Sequence, residues 1–299
     1  MELWVWVGDF GLVSINSECI STVAYIKLTK APVKIHFSRN PYNLLSGEYP
    51  IFRHKQVTLY NYSDIINYLK KHNYNMDSKL SSKQVSKSYT LTNMIMASLR
   101  PLLEYTFWIN NCNYKRLTSA WYYNVVIFPF NHIYSSNRRK LAYGLVENTC
   151  QCMDRIENVL QQEAEDCLLC LSYALEKNEY FFGDKPTSLD AVVFAYIVPA
   201  IKIPFPINPL LKALDSHPFL KRFIKRFNEK IFDKVEQNNK YLNYTKSGLN
   251  MKYDEDEETP MSWSSKILIM GTAVCAMVLY AMSKDIIDFS KWNYVLVSS

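Results

Sequence analysis

A hydroxyl and a thiol stand two residues apart at Ser17-x-Cys19, where an apolar pattern with helical spacing begins. The N-terminus of a helix carries partial positive charge and lowers the pKa of a nearby thiol, so this pair has the makings of a nucleophile. Free cysteine is also commonly buried, and this half of the chain has no Cys-x-x-Cys, so Cys19 is expected to pack rather than react. Two further pairs, Cys150-x-Cys152 and Cys167-x-x-Cys170, have the count for a four-thiolate zinc site. Residues 150 to 170 contain neither glycine nor proline and read as continuous helix, which would hold the pairs about 25 Å apart. All four sulfurs must lie about 2.3 Å from one metal, so no metal site is expected. His36, His54, His72, His132 and His217 stand singly, without a His-x-x-x-His pair, and no nucleophile-elbow motif occurs. No catalytic set and no cofactor site follow from these residues.

The elements that would position Ser17 and Cys19 are legible. Glu2 to Val7 alternate in a β-rich stretch and read as a strand; a turn follows at Gly8 to Gly11. Ser17 to Ala31 place Ile20, Val23, Ala24 and Leu28 on one helical stripe, with Asn16 or Ser17 as N-cap and Pro32 as the stop. Val33 to Phe37 reads as a second strand, parallel and adjacent to the first through a right-handed crossover. Pro50 leads into a third strand, Val57 to Tyr60 forms another, and Ser63 to Lys71 is a helix carrying Ile65, Ile66 and Leu69.

From about Val85 the helical period takes over. Arg138 to Lys177 reads as one long helix. Gly183 and Pro186 supply a turn, and Thr187-x-x-Asp190 has the spacing of a capping box opening the apolar helix Ala191 to Ile201. Phe219, Phe223 and Phe227 recur every four residues beside Lys221, Arg222, Lys225, Arg226 and Lys230. That pattern suits a core stripe with a solvated face, or a face that meets anionic lipid or an acidic partner.

With 48% hydrophobic residues and 14% aromatics, the 299-residue chain has the composition of a folded protein with a substantial core. Its net charge of +6 is scattered, which disfavours nucleic acid as a partner. The opening residues lack the basic, long-apolar pattern of a secretory signal, and seven cysteines without an export signal suggest reduced thiols in the cytosol.

The run Ile267 to Met282 carries no charge and is bounded by Lys266 and Lys284. Taken from Trp263 to Ser283, and including Leu268, Ile269, Val274, Val278 and Leu279, it would span about 30 Å as a helix, close to the hydrocarbon thickness. The lysines can snorkel, and Trp263 suits an interface. The alternative, a buried core helix, is disfavoured by the polar stretch Asn243 to Ser262 upstream, with its acidic run Asp254 to Glu258 and Pro260, which reads as a tether. Residues 263–283 are therefore expected to be a tail anchor inserted after synthesis, with the body in the cytosol. The moderate length fits the mitochondrial outer membrane better than the plasma membrane. The apolar tail 284–299 is expected to lie against the far membrane face or a partner there.

Phe182-Gly183-Asp184-Lys185-Pro186-Thr187-Ser188-Leu189-Asp190 resembles the helix-starting motif in the C-terminal half of glutathione-transferase folds. The strand order, with Pro50 before the third strand, is similar to their thioredoxin-like half. The resemblance implies an α+β, mostly α chain: a thioredoxin-like domain over 1–75, an all-α domain over 85–242, a tether over 243–262, a transmembrane helix over 263–283 and a short tail. Ala24-Tyr25-x-Lys27-Leu28, Ala31-Pro32, Ser38-x-Asn40-Pro41 and Ser46-Gly47-x-x-Pro50, together with Ser17-x-Cys19 and the anchor, resemble the metaxin family. That resemblance implies a non-catalytic subunit of the mitochondrial outer-membrane sorting and assembly machinery. Its partners would be a second metaxin, a barrel-forming subunit and β-barrel precursors; a transport-adaptor role is permitted but not addressed by the residues. Active transferases grip glutathione with a Glu/Gln-Ser pair at the helix after strand four. Aligning Ile65-x-x-Tyr68-Leu69 puts Asn61 and Tyr62 there, so the grip is missing, which argues against a membrane-tethered, glutathione-dependent enzyme using Ser17 or Cys19.

Overall fold

The computed structural model describes residues 1–40, 49–127, 130–149 and 155–232, all within a single unit, Met1–Met251. The tether, the expected anchor from Trp263 to Lys284 and the tail lie outside the described residues. Among the described residues no helix is long and apolar enough to cross a membrane.

The first half is a four-stranded sheet of order β2-β1-β3-β4, built from β1 (Glu2–Trp6), β2 (Lys34–Ser38), β3 (Ile51–His54) and β4 (Val57–Leu59). β1 and β2 are parallel, in register from Glu2↔Lys34 to Trp6↔Ser38, and the remaining pairs are antiparallel. The crossover is α1 (Ser17–Thr29), whose N-cap Asn16 accepts from Cys19 N at 3.0 Å. Lys30 stops the helix in the left-handed region (φ 52°), before Pro32 is reached. The expected apolar stripe is a partial picture of α1: every residue from Cys19 to Ile26 is buried while Leu28 is not, because α1 is packed by the helix Tyr62–Lys71 and by the helix Ser188–Lys202 of the second half. The Tyr49-Pro50 bond is cis and delivers the chain into β3. α2 (Tyr62–Lys71) follows β4 and lays Ile65, Ile66 and Leu69 on the core.

The second half begins with α3 (Ser82–Glu104), opened by a Ser81–Gln84 capping box. Pro101 cannot donate to the preceding turn, and from Tyr105 the helix widens into a π-helical turn, Tyr105–Ile109. A short α4 (Asn111–Asn113), a second π-helical turn (Tyr114–Thr118) and α5 (Ser119–Val125) follow. The single helix expected over Arg138 to Lys177 is instead two, α6 (Asn131–Thr149) and α7 (Ile156–Leu175), with Arg155 outside helical geometry at φ −117°, ψ 9°. Length explains the correction. One unbroken helix of that reach would run about 60 Å, whereas a body of this size has a radius of gyration of roughly 17 Å, so burying both parts requires a break. The last helices are α8 (Ser188–Lys202), buried on all sides, α9 (Pro209–Leu214) and α10 (Pro218–Ile231).

Several polar links join the halves. The indole of Trp121 donates to the buried Asp9 carboxylate at 2.7 Å. Asp77 accepts from Ser188 N (2.9 Å), Ser188 Oγ (2.7 Å) and Lys70 Nζ (2.7 Å). Arg39 donates to the carbonyls of Val125 and Asn124 at the end of α5.

Candidate functional site

Ser17 lines a cleft of about 410 Å³ between the halves. Its walls come from the end of β1 (Trp6), the start of α1 (Asn16, Ser17, Glu18), the loop before β3 (Tyr49), the β4–α2 junction (Tyr60, Asn61), the end of α3 with the first π-helical turn, and α6. Aromatic rings and polar groups share the lining. Trp6 meets Tyr49 and Tyr122 edge-on at 5.3 and 5.9 Å and Tyr134 at 5.4 Å, while Tyr122 packs on Trp108 at 4.8 Å. The charged groups face one another in pairs: Arg138 donates to Glu104 Oε1 at 2.7 Å and lies over Trp108, Glu104 Oε2 is buried without a hydrogen-bond partner, and Arg100 is 3.8 Å from Glu18.

The nucleophile candidates separate. Cys19 is 0% exposed, and burial pushes its thiol up to about 12, so it is protonated at neutral pH and faces the core rather than the cleft. A helix N-terminus cannot offset that desolvation. Ser17 remains on the wall, and no histidine is among the residues around it. At the α2 start, Asn61 is spent on its own helix: Oδ1 accepts from Asp64 N at 2.9 Å, and Nδ2 donates to Asp64 Oδ2 at 2.7 Å. Tyr62 is buried, turned from this cleft toward α8, where its hydroxyl is 3.4 Å from Ser188 O.

The motif residues form a structural knot. Tyr180 and Gly183 exchange two backbone hydrogen bonds at 3.0 and 3.2 Å, with Gly183 at φ 111°, where a side chain is strained. Asp190 Oδ2 accepts from both the amide and the hydroxyl of Thr187 at 2.7 Å, and Oδ1 accepts from Phe181 N at 3.1 Å. Asp184 is exposed, and Pro50 is buried, following in sequence Tyr49 of the cleft wall.

Cys150 and Cys152 lie outside the described residues, and the argument that a continuous helix separates them from Cys167 and Cys170 falls with that helix. The second pair divides on its own: Cys167 is buried, its thiol pushed up to about 12 by burial, while Cys170 is exposed. Among the described residues no group of three or more metal-ligating side chains occurs. Of the histidines, two come together unexpectedly. His54 bonds Tyr68 at 2.8 Å, and His72 stacks on the same ring at 4.1 Å; the signal was the i, i+4 spacing of Tyr68 and His72 on α2. In α10, Phe223 and Phe227 are 1% exposed and belong to the core, whereas Phe219 is 39% exposed.

This is the architecture of the glutathione-transferase fold, an α/β half followed by a helical half. Three solved structures share it over 76% of this chain: a glutathione transferase family member from Pseudomonas fluorescens with two glutathione bound (TM-score 0.50, 14% identity, 88% of that chain), and two glutathione S-transferases of Ceriporiopsis subvermispora in complex with glutathione (TM-score 0.52 each, 11% and 13% identity, 96% and 98% of those chains). Residues 164–227 match the profile of the glutathione S-transferase C-terminal domain, and residues 19–139 match that of the outer mitochondrial membrane transport complex protein.

Sequence relatives narrow the class. Metaxin-1 of Macaca fascicularis is 30% identical over 97% of this chain and 92% of its own length; metaxin-1 of Mus musculus is 29% identical over the same shares. Metaxin-3 of Danio rerio is 32% identical over 75% of this chain and 73% of its own length. The chain belongs to the metaxin family, which places it with the transport complex of the mitochondrial outer membrane.

Proposed function

We propose that this chain is a non-catalytic subunit of the outer-membrane sorting and assembly machinery, supporting the import and assembly of β-barrel proteins through protein–protein contacts. Its partners are a second metaxin and a barrel-forming subunit, with β-barrel precursors as its clients. The body, divided near residues 75–85 into an α/β and an all-α domain, faces the cytosol; residues 243–262 tether it to an anchor at 263–283. The observation that carries the reading is the state of the cleft at the helix starts of α1 and α2. Asn61 caps its own helix, Tyr62 is turned away, Cys19 is buried and protonated, and the charged groups of the wall are already paired.

Depletion of the protein is expected to lower mature outer-membrane barrels, and deletion of residues 263–299 to release the body to the cytosol. Unchanged barrel levels after depletion refute the assembly role. The cleft leaves one competing reading, a glutathione-dependent enzyme using Ser17. Retention on immobilised glutathione, with turnover of a model electrophile that Ser17→Ala abolishes, would establish that instead.

A further inference from the structure

The last described helix, α10, carries five basic side chains and one carboxylate, Glu229, and they are not spread evenly around it. Leu220, Phe223, Ile224, Phe227 and Asn228 are buried, leaving an arc on which Phe219, Arg222, Lys225, Lys230 and the one carboxylate, Glu229, are exposed and Arg226 is half-buried, so cations outnumber the acid on it. Part of that arc is pinned in place by the body: Arg226 donates to Glu179 O at 2.5 Å, and Lys230 donates to the Tyr180 hydroxyl at 2.7 Å and lies 3.4 Å from the Glu179 carboxylate, leaving Arg222 and Lys225 as the outward cations. Arg222 lies over the exposed Phe219 ring at 5.4 Å. The arc therefore combines fixed and outward cations with an exposed aromatic at one end, the composition of a helix that rests on an anionic membrane surface.

We propose that the exposed face of α10 docks on anionic lipid headgroups, with Arg222 and Lys225 contacting phosphates and Phe219 entering the headgroup layer. The face is cationic, which complements an anionic leaflet and an acidic protein alike. One observation selects lipid: the chain leaves α10 directly into the segment that carries the uncharged run Ile267 to Met282. That observation rests on the anchor reading. About 31 residues separate α10 from Trp263; a flexible chain of that length has an r.m.s. span of roughly 30 Å, so an anchored body samples the same bilayer at high effective concentration and a weak contact suffices.

The test uses the full chain reconstituted in phosphatidylcholine vesicles with or without phosphatidylserine, with a photo-crosslinking phenylalanine analogue replacing Phe219. Lipid adducts are expected with phosphatidylserine and not with phosphatidylcholine alone. They should fall about fivefold for each of Arg222→Ser and Lys225→Ser, and be suppressed at high salt. Resistance to alkaline extraction reads the anchor separately. Adducts that form only with protein, or equally in both vesicles, in a chain that resists extraction overturn the docking face and leave the anchor standing. If alkali strips the chain, the anchor reading fails, and salt-sensitive flotation with phosphatidylserine vesicles, lost in the two variants, still decides the face.

Discussion

Replacing Asp190 by asparagine tests how burial and hydrogen bonding compete at the start of α8. The carboxylate is 0% exposed and accepts from Phe181 N, Thr187 N and Thr187 Oγ1. Burial raises its pKa from 3.8 to about 6; the hydrogen bonds pull the other way and lose. One pKa unit is about 1.4 kcal/mol, so ionised Asp190 costs the fold about 3 kcal/mol relative to an unfolded chain in which it titrates at 3.8. Because the folded state holds the proton more tightly, this contribution is fully present below pH 3.8 and is lost as pH rises through about 6. Asp190→Asn keeps one acceptor oxygen but turns an amide donor toward Thr187 N, leaving two buried N–H groups facing each other. At about 1–3 kcal/mol per unsatisfied group, the variant should be roughly 2–4 kcal/mol less stable near pH 4. Only the parent protein changes its protonation there, so the gap should narrow, by about 2 kcal/mol, from pH 4 to pH 6.5. Denaturant unfolding of the full chain in mild detergent, followed by circular dichroism, reads both numbers. A gap that stays constant or widens with pH would refute the reasoning, since it requires a carboxylate held ionised by its three donors.

Other substitutions probe the cleft and its frame. At Gly8, an added Cβ would sit 2.1 Å from Leu12 O and 2.5 Å from Val13 C, both backbone, so Gly8→Ala should destabilise by several kcal/mol or prevent folding, read by expression and thermal unfolding. Trp121→Phe removes the donor to Asp9 and strands a buried carboxylate oxygen; a loss of about 1–3 kcal/mol is expected in the same unfolding assay, and a neutral result would show that water replaces the indole. In native protein, mass spectrometry after brief alkylation should find Cys170 modified well before Cys19 and Cys167, with the difference abolished in denaturant; early modification of Cys19 contradicts its burial.

The sequence reached some of this architecture and missed the rest for physical reasons. β1, α1 and β2 were legible because period and caps are local: Asn16 caps α1, and the βαβ crossover leaves one pairing for its strands. The Thr187–Asp190 pair was legible for the same cause, being a contact three residues apart. The break between α6 and α7 was not, because no glycine or proline marks it and the length of the body imposes it. The two π-helical turns, the Trp121–Asp9 bond across 112 residues, and the His54–Tyr68–His72 group depend on which elements meet, and periodicity is silent on that. The cleft itself was only half visible: the positions of Asn61 and Tyr62 could be aligned, but where their side chains turn could not.

That turning decides what the cleft can hold. A small polar ligand binds by meeting groups whose hydrogen bonds would otherwise go to water, so the exchange is favourable only if those groups are waiting. Here most of them satisfy each other: Asn61 with Asp64, Glu104 Oε1 with Arg138, and the Tyr49 hydroxyl with Asn40 O at 2.6 Å and the Ser38 hydroxyl at 2.7 Å, while Glu104 Oε2 is buried without a hydrogen-bond partner. A tripeptide entering this space would have to break such pairs before making its own contacts, and breaking a half-buried pair strands a charge at a cost that its replacement only restores. The pairs that do cross between the halves lie beside this space: Arg100 is 3.8 Å from Glu18, Trp121 donates to Asp9, and Arg39 donates to the end of α5, so the walls of the cleft are held by contacts that a ligand does not supply.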